Sequence, residues 1–180
     1  KSGMLRIEDF QKLQQAASRC YEAPLYIIDV PNMPLLDLKA MARRLVVNQG
    51  VKIIFIDYIG LISTDNPNTQ VWEQVSEISK SLKALARELA IPIVALCQVS
   101  RDAEGEEPTL NQLRGSGSIE QDADVVMFLH RERRKTAEQE ENPVQDAKLI
   151  VAKQRNGPTG DVDILYLSSY TKFENKAQEN

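Results

Sequence analysis

The sequence predicts an α/β protein: a mostly parallel sheet flanked by helices, ending in a β-hairpin. Near-continuous apolar runs, IIFID at 53–57 and PIVALC at 92–97, have the composition of strands covered on both faces, as in parallel sheets. Between such runs the apolar residues recur at helical spacing, as crossover helices require. Near the end of the chain RNGPTG separates AKLIVAKQ from DVDILYL, the strongest hairpin signal present.

The elements follow in order. Residues 8 to 22 read as a helix with Phe10, Leu13 and Ala17 on one face, and PLYIID follows as a short strand ending at Asp29. Pro34 can open the next helix, where Leu35, Leu38, Met41, Ala42 and Leu45 form a stripe that Gly50 terminates. After the strand 51–57 comes the loop LISTDNPNTQ. A long helix then carries Trp72, Val75, Ser79, Leu82, Leu85, Ala86 and Leu89 on one side, with Trp72 expected as a core anchor. PIVALCQ and DVVMFLH are further strands, separated by the polar stretch 99–123. The charged segment RERRKTAEQEENPVQD bends at Asn142-Pro143 and reads as a solvated loop before the hairpin.

The bulk properties narrow the function. A chain of 180 residues, 42% hydrophobic and 27% charged, suits one globular domain, and no apolar run approaches a membrane span. No signal-peptide pattern opens the chain, and a start at Lys1 in mid-pattern reads as a piece of something longer. Cys20 and Cys97 are far apart and without nearby His, which disfavours zinc or a disulfide framework. A net charge of −4 argues against a free-standing, tight nucleic-acid binder, while leaving room for weak contacts gathered from several subunits of a ring.

Parallel sheets place functional residues just past the carboxyl ends of their strands. Here these are Asp29, Asp57, Gln98 and, in the hairpin, Lys153, Gln154 and Arg155. Asp57 stands where an aspartate accepting hydrogen bonds from magnesium-bound water should stand, although apolar runs ending in Asp are common. The phosphate-loop pattern GxxxxGK[ST] occurs nowhere in these residues. Gln98 can donate one hydrogen bond and accept another, as a reporter of a γ-phosphate would, or be a plain surface amide. In QLRGSGSIEQDAD, Gly115 and Gly117 let backbone approach a phosphate closely and Arg114 adds charge. The bland alternative is a flexible loop entering a helix capped by Ser116 or Ser118. Lys153 and Arg155, two apart, project to one face and suit a polyanion, or are solvated charges of a surface hairpin. His130, at a strand end without a sequence partner, reads as structural.

Taken in order, IIFIDYIGLI, EISKSLKALARELAIPIVALCQVSR, LRGSGSIEQDADVVMFLHR and KQRNGPTG closely resemble the C-terminal motor domain of bacterial replicative DNA helicases of the DnaB family. KSGMLRIEDF resembles a stretch of that domain too, so the similarity covers essentially the whole chain. The resemblance implies a RecA-like P-loop NTPase core, with residues 1–180 a partial domain that starts downstream of the phosphate loop and the catalytic glutamate, and is inactive alone. It implies a homohexameric ring using ATP and Mg²⁺ to move along single-stranded DNA and unwind duplex, in the cytoplasm at the nucleoid-associated replication fork, with primase and a helicase loader as partners. Asp57 would be the Walker B carboxylate, Gln98 the phosphate sensor linked to the DNA loops, and Lys153 and Arg155 would reach the neighbouring subunit's triphosphate, Arg155 as an arginine finger. Arg114, Gly115 and Gly117 would line the DNA-contacting loop, Gly115 standing where relatives often carry Glu. A RecA-like recombination or repair ATPase, and a non-catalytic DNA-binding or loader-docking module, are the rival readings.

Overall fold

A computed structural model describes residues 6–65, 69–100, 106–113, 117–131 and 143–176. The chain divides into two compact units, Lys1–Pro31 and Asn32–Asn180.

In the first unit, helix α1 spans Ile7–Glu22. It begins where the Arg6 backbone N–H donates to Asp9 Oδ2 at 3.0 Å, and Glu8 and Asp9 near its start and Arg19 near its end complement the helix dipole. Phe10 and Leu13 lie exposed on it. The strand expected at PLYIID does not form: residues 24–29 belong to no strand among the described residues. A strand exists through its ladder, and apolar composition alone does not supply one. The Leu25 N–H instead donates to the Ala23 carbonyl at 2.7 Å, a tight local turn.

The second unit begins with β1 (Met33–Pro34), α2 (Leu35–Gln49), β2 (Ile54–Ile56), a 3₁₀ turn at Ile59–Leu61 and β3 (Ile62–Ser63). It continues through α3 (Val71–Leu89), β4 (Ile93–Ala95), a 3₁₀ turn at Leu110–Gln112 and α4 (Gly117–Asp122). It ends in β5 (Val125–His130), β6 (Val144–Gln154), β7 (Gly160–Leu167) and β8 (Lys172–Asn175). β1 pairs with β3 and β2 with β4, both parallel. The expected hairpin, β6–β7, is the centre of a four-stranded antiparallel sheet of order β5-β6-β7-β8. The α/β class and the parallel strands are as read from sequence. The antiparallel part is larger, because β5 and β8 join the hairpin on either side.

Helix α2 ends as its sequence requires. Gly50 adopts φ 66° and ψ 28°, and its N–H donates to the Val46 carbonyl at 3.1 Å. A Cβ on Gly50 would meet no atom within 4 Å, so only the left-handed backbone opposes a side chain. Gly50→Ala is therefore expected to cost about 1 kcal/mol, the left-handed penalty less the gain from a stiffer unfolded chain, read as a lower melting temperature.

The core forms where α3 meets the parallel strands. Leu35, Ile59, Ile62, Ile78 and Leu82 make one buried cluster; Leu113, Val126 and Phe128 make another. Ile119 of α4 packs against both clusters, so α4 is held between them. Arg43 of α2 grips Glu88 of α3 with Nε to Oε1 at 2.6 Å and NH2 to Oε2 at 2.9 Å. That hydrogen-bonded guanidinium holds the Glu88 carboxyl below its usual range.

Two burial expectations are corrected. Trp72 is 52% exposed and its indole N–H donates to Gln70 Oε1 at 2.6 Å. It sits in the first turn of α3, ahead of the contact with the core that starts at Val75. The run IIFID is not covered on both faces: Ile54 and Ile56 are half-buried while Phe55 is 66% exposed. No described helix is long and apolar enough to cross a membrane.

Candidate functional site

Strands β2 and β4 run side by side in parallel, Ile56 opposite Ala95. Their ladder continues past the strands, with the Leu96 N–H donating to the Ile56 carbonyl at 2.9 Å and the Ile59 N–H to the Leu96 carbonyl at 3.0 Å. Asp57 and Gln98 therefore leave neighbouring strands at the same carboxyl end, where a parallel sheet presents its ligands. The Asp57–Tyr58 peptide is cis. Asp57 is exposed, not buried as the apolar run before it suggested, so its carboxylate carries no desolvation burden. Among the described residues no group of three or more His, Cys, Asp or Glu side chains could cage a metal. A single open carboxylate does fit Mg²⁺, which keeps several waters and takes few carboxylates.

Gln98 is exposed as well, but the chain around it is tied down. Burial pushes the thiol of its neighbour Cys97 up. On the other side Val99 forms an antiparallel bridge with Leu113, and the Ser100 N–H donates to the Gln112 carbonyl at 2.8 Å. The turn carrying Gln112 is closed by its own amide, whose Oε1 accepts the Thr109 N–H at 2.8 Å. Leu113 immediately precedes Arg114, so the end of β4 is stitched to the start of the glycine-rich loop.

The predicted cations lie together at a second place. Lys153 Nζ donates to the Glu120 carbonyl, and Arg155 NH2 to the Gln121 carbonyl at 3.2 Å, both at the C-terminal end of α4. Orphan carbonyls and the negative end of a helix favour cations. A bulge in β6 lies just before them: Val126 faces Lys153 but Met127 faces Val151, leaving Ala152 as the extra residue. Such a bulge re-aims the residues that follow it. Sequence reasoning missed two further members. Asp124 pairs with Arg155 NH1 at 3.2 Å through Oδ1 and with Lys83 of α3 through Oδ2. Lys83 hydrogen-bonded to Asp124 holds that carboxyl below its ordinary value, with Arg155 and Lys153 adding to the effect. The signal available was Asp124 closing the QDAD block; nothing local marked Lys83 as its partner.

The remaining residues divide. Arg114, Gly115 and Ser116 lie outside the described residues. Gly117 is the exposed first residue of α4, and a Cβ there would meet no atom within 4 Å, so this chain's own packing does not demand glycine. Ser118 lies inside α4 and is not its cap; its Oγ is buried and has no hydrogen-bond partner among the described residues. Asp29 stands outside any strand. Gln154 ends β6 with its amide against Gly157, where a Cβ would approach Nε2 to 2.2 Å. His130 pairs with Lys148 across β5 and β6, in keeping with a structural role. Of the charged segment, residues 132–142, the Asn142 bend included, lie outside the described residues. Arg131 places its guanidinium 4.4 Å from the Tyr166 ring centroid. The structure thus collects the predicted residues into two pairs, Asp57 with Gln98 and Lys153 with Arg155. No hydrogen bond or ion pair joins the two pairs among the described residues.

Parallel strands ending together in an acid and an amide, followed by an antiparallel sheet, place the chain in the RecA-like α/β class. Two solved structures agree. One, described as an ATPase domain, superposes with a TM-score of 0.83 at 34% identity, covering 94% of this chain and 61% of that one. A DnaB-like replicative helicase, described together with its interactions with primase, also gives 0.83 at 32% identity, covering 97% of this chain and 42% of its own. Residues 1–175 match the DnaB-like helicase C terminal domain, and the chain belongs to that family. It is 57% identical over 173 residues to the replicative DNA helicase DnaB of Treponema pallidum, and 42% identical over 179 residues to that of Geobacillus stearothermophilus. It spans 96% and 97% of itself in those matches, but 37% and 39% of the relatives' length.

Proposed function

We propose that this chain serves as part of the motor of a replicative DNA helicase, in a protein of its relatives' length. That protein would act as a homohexamer that couples ATP hydrolysis to movement along single-stranded DNA and to duplex unwinding. The observation that carries the reading is the shared strand end of Asp57 and Gln98, with the Val99–Leu113 bridge leading from it into the Arg114 loop. Asp57 would hold a nucleotide-associated Mg²⁺ through bound water, and the ion would supply charge neutralisation at the phosphates. Gln98 senses the terminal phosphate, and any shift of its strand end passes through the bridge to Leu113 and the loop beyond. Arg114 and the backbone of Gly115 and Gly117 hold DNA phosphates without reading bases. Lys153 and Arg155 act on the nucleotide of the neighbouring subunit. Primase and a helicase loader are the expected partners, at a cytoplasmic replication fork.

Strand displacement on a forked duplex by the intact protein tests this reading. Unwinding that needs both Mg²⁺ and hydrolysable ATP is the expected outcome. Hydrolysis and single-strand binding without displacement would instead favour a recombination or repair ATPase. In the same protein Arg114→Ala should weaken single-strand binding for all sequences alike and reduce the salt slope by about 0.7 per lost phosphate contact. Basal hydrolysis should survive, with its stimulation by DNA diminished. An unchanged salt slope removes the loop from the DNA interface.

A further inference from the structure

Arg155 is held at both its ends by one short stretch of chain. Its backbone N–H donates to the Asp124 carbonyl at 2.8 Å, its NH1 faces Asp124 Oδ1 at 3.2 Å, and its NH2 donates to the Gln121 carbonyl at 3.2 Å. Asp124 is fixed in turn, because its second oxygen takes the ammonium of Lys83. Lys83 stands next to buried Leu82 on α3, so its stem leaves from the most firmly packed helix of the unit. An ion pair whose side chains are 50% and 54% exposed contributes little to stability. What it can do is choose a direction. A guanidinium has five N–H groups, and these contacts use its two terminal nitrogens, leaving other N–H groups uncommitted among the described residues.

We propose that Asp124 is a positioning residue for Arg155: braced by Lys83, it sets the direction in which the guanidinium leaves the β6–β7 turn. The inference rests on the reading that Arg155 acts on the neighbouring subunit's nucleotide. An arginine that crosses a subunit interface must arrive in one orientation to meet charge developing on a phosphoryl group, and a long free side chain samples many. The Gln121 contact ties Arg155 to α4, whose first residue is Gly117 of the glycine-rich stretch. The Lys83 hydrogen bond also holds the Asp124 carboxyl below its ordinary value.

The test uses the intact ring, with kcat and KM for ATP measured at saturating single-stranded DNA. Asp124→Asn should lower kcat about ten- to a hundredfold, the scale of a small misplacement of a catalytic group, with KM and assembly unchanged. Asp124→Glu, which restores the charge, should recover part of the loss. In an Arg155→Ala background Asp124→Asn should cost nothing more, because residues acting as a unit are non-additive. An unchanged or raised kcat in Asp124→Asn, or an equal loss in both backgrounds, overturns the inference. Should Asp124→Asn fail to assemble, Lys83→Gln decides, since it releases the brace from the other side; an unchanged kcat there is equally fatal. A slow Arg155→Ala ring with an unimpaired Asp124→Asn ring removes the positioning role alone. Normal hydrolysis by Arg155→Ala removes the trans-acting arginine and, with it, this inference.

Discussion

Arg155→Ala rings are expected to assemble and to bind nucleotide, yet to hydrolyse it roughly a thousandfold or more slowly, the range of arginine fingers generally. In the proposed role the guanidinium would stabilise charge that appears only as the phosphoryl group transfers, so its loss would fall on kcat and spare nucleotide affinity. Lys at this position should rescue poorly, because a point charge does not replace a planar fork. Mixed rings give the decisive result. Subunits carrying Arg155→Ala are combined with subunits that have a broken phosphate loop and an intact Arg155. Interfaces that unite a working phosphate loop with a working Arg155 should regain hydrolysis. No recovery in proven mixed rings rules out action across the interface.

Leu85→Ala should be the most damaging single core change, at about 2–5 kcal/mol. Leu85 is 1% exposed, the most enclosed large side chain of the described residues, on the face of α3 that also buries Ile78 and Leu82. Removing its isobutyl group forfeits the transfer energy and leaves a void that α3, pinned by its neighbours, cannot close. Leu85→Met, which keeps the volume, should cost under about 1.5 kcal/mol. Denaturant melts of the two variants check the contrast. If Leu85→Ala melts like Leu85→Met, the cavity account is wrong.

Where a signal was local, the sequence was sufficient. Gly50 closes α2 because the left-handed cap suits a residue without Cβ, and RNGPTG turns between β6 and β7. The shared strand end of Asp57 and Gln98 also followed from pattern, since parallel strands put their ligands at one end. What failed were statements about partners. Phe55 and Trp72 look like core residues by type, but burial depends on what lies opposite, which composition does not carry. β8 was invisible because KFEN has one apolar residue and no alternation; it is held by the β7 ladder, with the Phe173 and Tyr166 rings 5.0 Å apart. The Lys83–Asp124–Arg155 chain spans three distant segments, and no spacing rule reaches across them.

The contrast between the two kinds of sheet also bears on how the chain folds. β6 and β7 face each other across the short turn 155–159, so their ladder can zip from its closed end with little loop-closure entropy. β2 and β4 meet only after α3 has been threaded between them, about forty residues along the chain, and contacts of that separation form late. The hairpin sheet is thus the segment able to order first, and the strand ends bearing Asp57 and Gln98 the last. Conditions that loosen the molecule should open the strand ends that carry Asp57 and Gln98 while the antiparallel sheet still stands.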